Sequence, residues 1–292
     1  MIIIMLSGGL GNQMFQYALY CRLQELGRMV KVDDKRGFEG DPNGRRPILT
    51  EVFGIKYEVA SDKEVKDMLD SHKDVFSIAR RKVFGRKSKR YKEKSGNFDP
   101  QVLEIDDVYL DGYWQTERYF DTDTVVARLK KDFYLDPFKI IQSEKAKKLL
   151  QDIENTESVC VHIRRGDYLN PGTIETHGGI CTGDYYKAAL EKIAENRTNP
   201  TFYYFSNDKE WMSDNIKGDN SVVVDIETDE PQSDLVEMLL MSRCHDQILA
   251  NSSYSWWSAW LNDREGKKIY VPSKWINNKE MDDIYTDYMI RI

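Results

Sequence analysis

The chain opens on an unbroken apolar run, Ile2-Ile3-Ile4-Met5-Leu6, with no alternation of polar positions. Such a run predicts a strand covered on both faces, as in a parallel sheet. Ser7-Gly8-Gly9-Leu10-Gly11-Asn12-Gln13 follows, then helical spacing over residues 14–26 and a second strand over 29–33. Residues 34–50 are rich in Gly, Pro and charge and read as a loop. Ser61 with Glu64 three residues on is a capping box at the head of a helix over 61–69. Residues 108–114 are strand-like and aromatic, and residues 117–131 and 143–153 are helical.

Beyond the polar break at 154–157 the pattern becomes regular. Strands over 159–162, 202–206, 222–225 and 247–250 alternate with helices over 184–195, 209–215 and 233–242, and a further helix follows Asn251-Ser252-Ser253. Repeated strand–helix units predict a parallel, doubly wound sheet. The expectation is therefore an α/β chain of two domains, 1–145 and 146–292, with the last segment either in the second domain or packed back on the first.

Composition narrows the function. A net charge of −7 and a pI near 5.3 argue against nucleic acid as a partner. Cys21, Cys160, Cys181 and Cys244 are scattered, with no metal-ligand spacing, and read as reduced thiols of a cytoplasmic protein. No apolar stretch is long enough to span a bilayer. Residues 80–94 carry nine Lys/Arg against one Glu. That stretch is either a solvated face, the reading favoured here, or a patch that meets an anionic surface such as phospholipid or a lipid-linked acceptor.

In a doubly wound sheet, ligands sit outside the C-terminal ends of the strands. That edge collects His162 to Asp167, Ser206 to Asp208, and Asn251 to Ser253. Arg164 and Arg165 offer planar, permanently charged forks that match phosphate oxygens; the alternative is a surface Arg–Asp pair of little energetic weight. Ser252 and Ser253 suit phosphate oxygens, helix capping, or both. The Gly-rich turn at residues 8–13 aims backbone N–H groups at a polar ligand but lacks the dinucleotide spacing, and Asn12 is equally a cap or a ligand contact. Trp256, Trp257 and Trp260 read as core. Asp121-Thr122-Asp123 reads as helix capping, not a metal motif.

Three long segments in order carry a resemblance: Gly8-Gly9-Leu10-Gly11-Asn12-Gln13-Met14-Phe15-Gln16-Tyr17-Ala18, His162-Ile163-Arg164-Arg165-Gly166-Asp167-Tyr168, and Ala250-Asn251-Ser252-Ser253-Tyr254-Ser255-Trp256-Trp257. Asp111-Gly112-Tyr113-Trp114-Gln115 and Phe205-Ser206-Asn207-Asp208 with Trp211 add to it. The chain resembles the α-1,2-fucosyltransferases of glycosyltransferase family 11, least over residues 34–105.

The resemblance implies a GT-B-like fold, two Rossmann-like domains facing a cleft. It implies inverting transfer of L-fucose from GDP-β-L-fucose to the 2-hydroxyl of a galactose, without metal or cofactor. Arg164 would grip the donor β-phosphate with Arg165 in support, and Ser252 and Ser253 would bind the same pyrophosphate. Glu237 would meet guanine, and Asn12 would lie near the fucose and the acceptor hydroxyl. His162, Ser206, Asp208, Asn251, Gly9, Gly11 and Gln13 complete the expected donor-side set. Glu175 is the first candidate for the base and His177 the second, while Asp167 orients an arginine. His245, one position earlier than relatives often place it, and Asn207 are departures. Another donor or linkage, or an inactive nucleotide-sugar-binding protein, are the competing readings. Acceptors from lactose to lipid-linked repeats fit, at the inner face of the membrane or in the cytoplasm.

Overall fold

A computed structural model describes the 292 residues apart from Lys217 and Asp219. The chain divides into two units, Met1–Asp132 and Phe133–Ile292. The first contains β1 (Ile2–Ser7), α1 (Leu10–Glu25), β2 (Val30–Gly37), α2 (Leu49–Phe53), α3 (Asp62–Leu69), α4 (Val75–Phe84), β3 (Arg90–Lys92), α5 (Gln101–Glu104), β4 (Val108–Asp111) and α6 (Asp123–Asp132). The second contains α7 (Pro137–Ile140), α8 (Glu144–Glu154), β5 (Glu157–Ile163), α9 (Ile174–His177), α10 (Gly183–Asn196), β6 (Pro200–Ser206), α11 (Lys209–Asn215), β7 (Ser221–Val223), α12 (Ser233–Arg243), β8 (Asp246–Ile248), α13 (Ser253–Leu261), β9 (Ile269–Val271) and β10 (Met289–Arg291).

Both sheets are wholly parallel among the described residues. The first runs β2-β1-β4-β3, and the isoleucines of β1 are fully buried between its two neighbours, as the uninterrupted apolar run requires. The second runs β10-β9-β8-β5-β6-β7. Its chain leaves β5 in one direction, through β6 and β7, and returns to build β8, β9 and β10 on the other side. That reversal puts a topological switch point between β5 and β8, where an open α/β sheet opens a crevice at its strand ends. The expected pair of Rossmann-like parallel-sheet units is thus what the chain forms.

Two boundaries differ from expectation, and a third point left open is resolved. The helix after the Gly-rich turn begins at Leu10, not residue 14. Gly8 takes a left-handed φ of +75° and Gly9 is the extended N-cap, so Gly11, Asn12 and Gln13 lie inside the first turn. The units divide at Asp132, before the expected 145, because residues 133–143 pack on the second unit. Phe133 meets Trp257 edge-on at 5.2 Å, and buried Glu230 accepts the backbone N–H groups of Gln142 (3.1 Å) and Ser143 (2.7 Å). The C-terminal segment does not belong to the first unit. It adds β10 to the second sheet and supplies the Ile284 carbonyl that accepts the Trp256 indole N–H at 2.8 Å. Local signals held where they were local: Ser61 and Glu64 form the capping box, a motif worth about 1 kcal/mol.

Candidate active site

In the second unit, β5 delivers the arginine loop. Val159, Val161 and Ile163 are fully buried, which fixes the strand's face and leaves the chain to emerge only at Arg164. Two consecutive tyrosines of α10 pin the switch point from below. Tyr186 donates its hydroxyl to the His162 carbonyl at 3.0 Å, and Tyr185 donates to the Leu249 carbonyl at 2.6 Å. The ends of β5 and β8 are therefore held by one rigid helix.

Arg164 and Asp167 form a bidentate pair, with Nε and Nη2 each 2.9 Å from a carboxylate oxygen. Arg164 also lies over the Tyr168 ring at 5.8 Å. The Arg164 side chain keeps about a third of its surface exposed (36%), so it is not sealed into the core by this pair. Arg165 is held from three sides. Its N–H donates to Asn207 Oδ1 (2.9 Å), Nε donates to Asp208 Oδ2 (3.0 Å), and its guanidinium stacks over Trp211 at 4.0 Å. Ser206 Oγ accepts the Asp208 N–H at 3.0 Å and so braces this arm. Gly166 leaves room for this brace: a Cβ there would lie 2.7 Å from Asn207 Nδ2 and displace the amide. Asn207, Tyr168 and Trp211 are thus positioning residues, and Asn207 was a departure in the sequence with no assigned role. Only the spatial return of β6 beside β5 reveals what it does.

The neighbouring strand end carries the serines. Ser252 occupies the N-cap position of α13 in extended geometry, yet its side chain makes no cap hydrogen bond, so simple capping does not account for it. It lies instead beside the Tyr168 hydroxyl, which donates to the Asn251 carbonyl at 3.1 Å. Asn251 is buried and internally engaged, donating to the carbonyls of Trp275 (3.0 Å) and His177 (3.3 Å) and accepting from the Cys181 thiol (3.4 Å). It shapes the serine turn rather than offering its amide outward. Ser253 opens the helix whose N-terminus faces this edge.

The two histidines of the motif region are both kept neutral by burial. His162 is pushed down to about 3 by burial and by the charge of Arg164, and its Nδ1 has no hydrogen-bond partner among the described residues. His177 is also lowered by burial, partly offset by Asp167. Its ring stacks on Tyr168 at 4.6 Å, which ties it to the arginine loop. Glu175, on the same short helix, is exposed and bonded to no described residue. Glu237 on α12 is raised to about 7 by burial first and then by Asp234 and Glu227. No described donor reaches its carboxylate. His245 lies at the opposite end of the sheet: it precedes β8, donates its backbone N–H to the carbonyl of Ser158, and places Nε2 3.0 Å from Arg264. Its shift in sequence does not touch the strand-end site.

The first unit has its own switch point, between β1 and β4. Helix α1 is buried on nearly every side, and this is why its glutamines serve the fold. Gln13, expected on the donor side, is fully buried. It donates to the carbonyls of Gly8 and Arg46 and accepts the Ile48 N–H, each at 3.0 Å. Gln16, missed in the sequence, bonds Ser7 and the Gly112 carbonyl (2.9 Å), joining the ends of β1 and β4. Asn12 is not the cap. It lies in the first turn and accepts from Gln115 Nε2 at 2.7 Å, while a Cβ on Gly8 would meet its Nδ2 at 2.4 Å. A side chain on Gly9 would meet nothing within 4 Å, so Gly8 rather than Gly9 is the sterically required glycine. Gly11 is buried within α1. Glu93 accepts the N–H groups of Tyr113 (3.3 Å) and Trp114 (2.9 Å), holding Trp114 at a left-handed φ of +58°. The only signal for Glu93 in the sequence is that it is the one acid among nine bases. Asp121-Thr122-Asp123 caps α6 through Thr122, as expected.

Comparison with known proteins adds an independent line. The family model described as glycosyl transferase family 11 matches residues 86–289. The O-antigen biosynthesis glycosyltransferase WbnK of Escherichia coli is 32% identical, over 94% of this chain and 95% of that protein. An alpha-1,2-colitosyltransferase of Escherichia coli is 33% identical, over 96% of this chain and 94% of that one. A galactoside alpha-(1,2)-fucosyltransferase 1 of Lagothrix lagotricha is 26% identical over 44% of this chain and 34% of its own length. Among solved structures, Arabidopsis thaliana FUT1 with GDP aligns at a TM-score of 0.45 and 13% identity, over 92% of this chain and 69% of that chain. With the matched region spanning both motif-bearing strand ends of the second unit, the chain belongs to glycosyltransferase family 11.

Proposed function

We propose that the protein transfers L-fucose from GDP-β-L-fucose to the 2-hydroxyl of a galactose in a glycan, with inversion and without a metal. The observation that carries this reading is the arginine fork at the β5–β8 switch point, with Ser252 and Ser253 on the adjoining strand end. Breaking the bond between fucose C1 and the β-phosphate oxygen leaves negative charge on GDP. A guanidinium already oriented by Asp167 stabilises that charge without reorganising. Arg165, fixed by Asp208 and Trp211, adds field rather than a movable contact. Glu237, as a carboxylate, accepts the two N–H donors of a guanine edge. Asn12 and the turn that carries it serve the acceptor sugar. For the proton of the attacking hydroxyl, His177 suits better than Glu175, because it is neutral and tied to the arginine loop through Tyr168.

The test is GDP release from GDP-fucose in EDTA, with and without lactose. Acceptor-stimulated release that persists in EDTA supports the reading. Binding without release on any galactoside points to an inactive binding protein, and loss of turnover in EDTA overturns metal independence. The 33% identical colitosyltransferase favours one second reading, that the sugar is colitose, the 3-deoxy counterpart of L-fucose. Comparing kcat/KM for the two GDP-sugars separates them. The relative named for O-antigen biosynthesis favours an O-antigen acceptor; among the described residues, no helix is long and apolar enough to cross a membrane.

A further inference from the structure

Helix α4 is built inside out. A helix of a soluble domain normally turns its apolar stripe to the core and its charges to water. Here none of the ten residues of α4 is buried, and Val75, Phe76, Val83 and Phe84 are 84%, 79%, 73% and 72% exposed. The polar side does the anchoring. Arg80 pairs with Asp70, Arg81 donates to the carbonyls of Asp70 (3.2 Å) and His72, and Asp74 caps the helix through the Ser77 N–H at 2.9 Å. At about 100° per residue, Val75, Phe76, Ala79 and Val83 fall within one stripe of about 100°. Arg80 and Lys82 stand at its two borders, and Phe84 follows beyond Arg80 in the last turn.

The segment that follows is basic. Arg86 donates only to the Leu69 carbonyl, leaving its charge uncompensated, and exposed Lys82, Lys87 and Lys92 have no acidic partner among the described residues. This concentration of positive charge stands on a chain of net charge −7. A monomeric soluble protein rarely shows such an apolar patch without a use for it. An apolar stripe with unpaired Lys82 at one border and unpaired lysines in the segment that follows complements an interface that is apolar below and anionic at its surface. We propose that α4 and residues 85–92 dock the protein on an anionic phospholipid bilayer, with Phe76 and Val83 entering the acyl boundary and Lys82, Lys87 and Lys92 meeting the headgroups.

The experiment is flotation of the full chain with vesicles of phosphatidylcholine alone or with 30% phosphatidylglycerol (about a third of the lipid, an ordinary anionic surface). The expected result is binding to the anionic vesicles that weakens as salt shortens the Debye length. Basic residues near such a surface contribute about fivefold each, so Lys82→Glu/Lys87→Glu/Lys92→Glu should weaken binding by about a hundredfold or more. Phe76→Ser/Val83→Ser should abolish binding while leaving GDP release on a soluble acceptor unchanged, since neither side chain has a core contact to lose. Absence of wild-type binding to anionic vesicles at low salt overturns the proposal. So does binding that both variants retain. A wild-type dimer in sedimentation that Phe76→Ser/Val83→Ser converts to monomer, with no flotation, would assign the face to a second copy instead.

Discussion

Both units end a switch-point strand in a turn at the same topological position and build that turn from opposite chemistry. In the first unit the turn is neutral. Gln13, Gln16, Asn12 and Gln115 lock it with amide hydrogen bonds, and two backbone positions, Gly8 and Trp114, hold left-handed geometry. In the second, the turn is charged and each charge has one oriented partner, Asp167 for Arg164 and Asp208 for Arg165. Strand order chooses where a site can be; residue type chooses what it can hold. A neutral, rigid amide lattice suits sugar hydroxyls, whereas oriented guanidinium forks suit a diphosphate.

The contrast breaks most sharply at Arg164. Arg164→Ala should lower turnover on GDP-fucose by about a hundredfold to a thousandfold, the usual effect of removing one preorganised charge donor. Single-turnover GDP release measures it, and a change of less than tenfold would remove Arg164 from the chemistry. Next comes Gly8→Ala, which sets a methyl group against Asn12 at a φ of +75°. A destabilisation of about 1–2 kcal/mol is expected from the left-handed backbone, with a rise of about tenfold in acceptor KM and little change in GDP affinity. Equal damage to both ligands would mean that the two turns are not chemically divided as proposed.

Glu237 gives a smaller and pH-dependent effect. Its folded value of about 7 lies above the usual carboxylate range. The folded protein therefore binds more protons than the unfolded chain, and stability from this group is present below about pH 4 and lost as pH rises through 7. Wild type should lose Tm relative to Glu237→Gln between pH 5 and 8. If guanine needs the carboxylate, GDP should bind more tightly to wild type as pH rises from about 6 to 8, while binding to Glu237→Gln stays flat; calorimetry at several pH values decides. The smallest effect belongs to His245→Gln. At the far end of β8 it should leave GDP affinity within about twofold, and a larger loss would revive a nucleotide-side role.

What the sequence revealed was whatever is written locally. The period of strands and helices, the capping box at Ser61 and the clustering of Arg164, Ser206 and Ser252 at strand ends all follow from neighbours a few residues apart. What it hid depends on distant partners. The first turn of α1 could not be told from loop, because two of the three bonds that satisfy buried Gln13 go to the distant Arg46 and Ile48. The unit boundary moved because Glu230 captures residues 142 and 143. Asn207 was legible as a motif position but not as the brace of Arg165. The basic stretch was read as a solvated face, yet only Asp70 and the carbonyls beside it decide that α4 turns its apolar side outward.

The strand order of the second sheet also fixes when the site comes into being. Strand β5 has its neighbour β6 next in the sheet's chain order, but its other neighbour, β8, comes only after β6, β7 and helices α9 to α12. Closing that long-range pairing is slow, since loop entropy is lost before the contact is gained. On loop entropy alone, Arg164 and Ser252 are expected to meet late in folding. On the proposed function, a refolding chain should regain helical signal well before it regains affinity for GDP, which makes nucleotide binding a clock for a late event in the assembly of this fold.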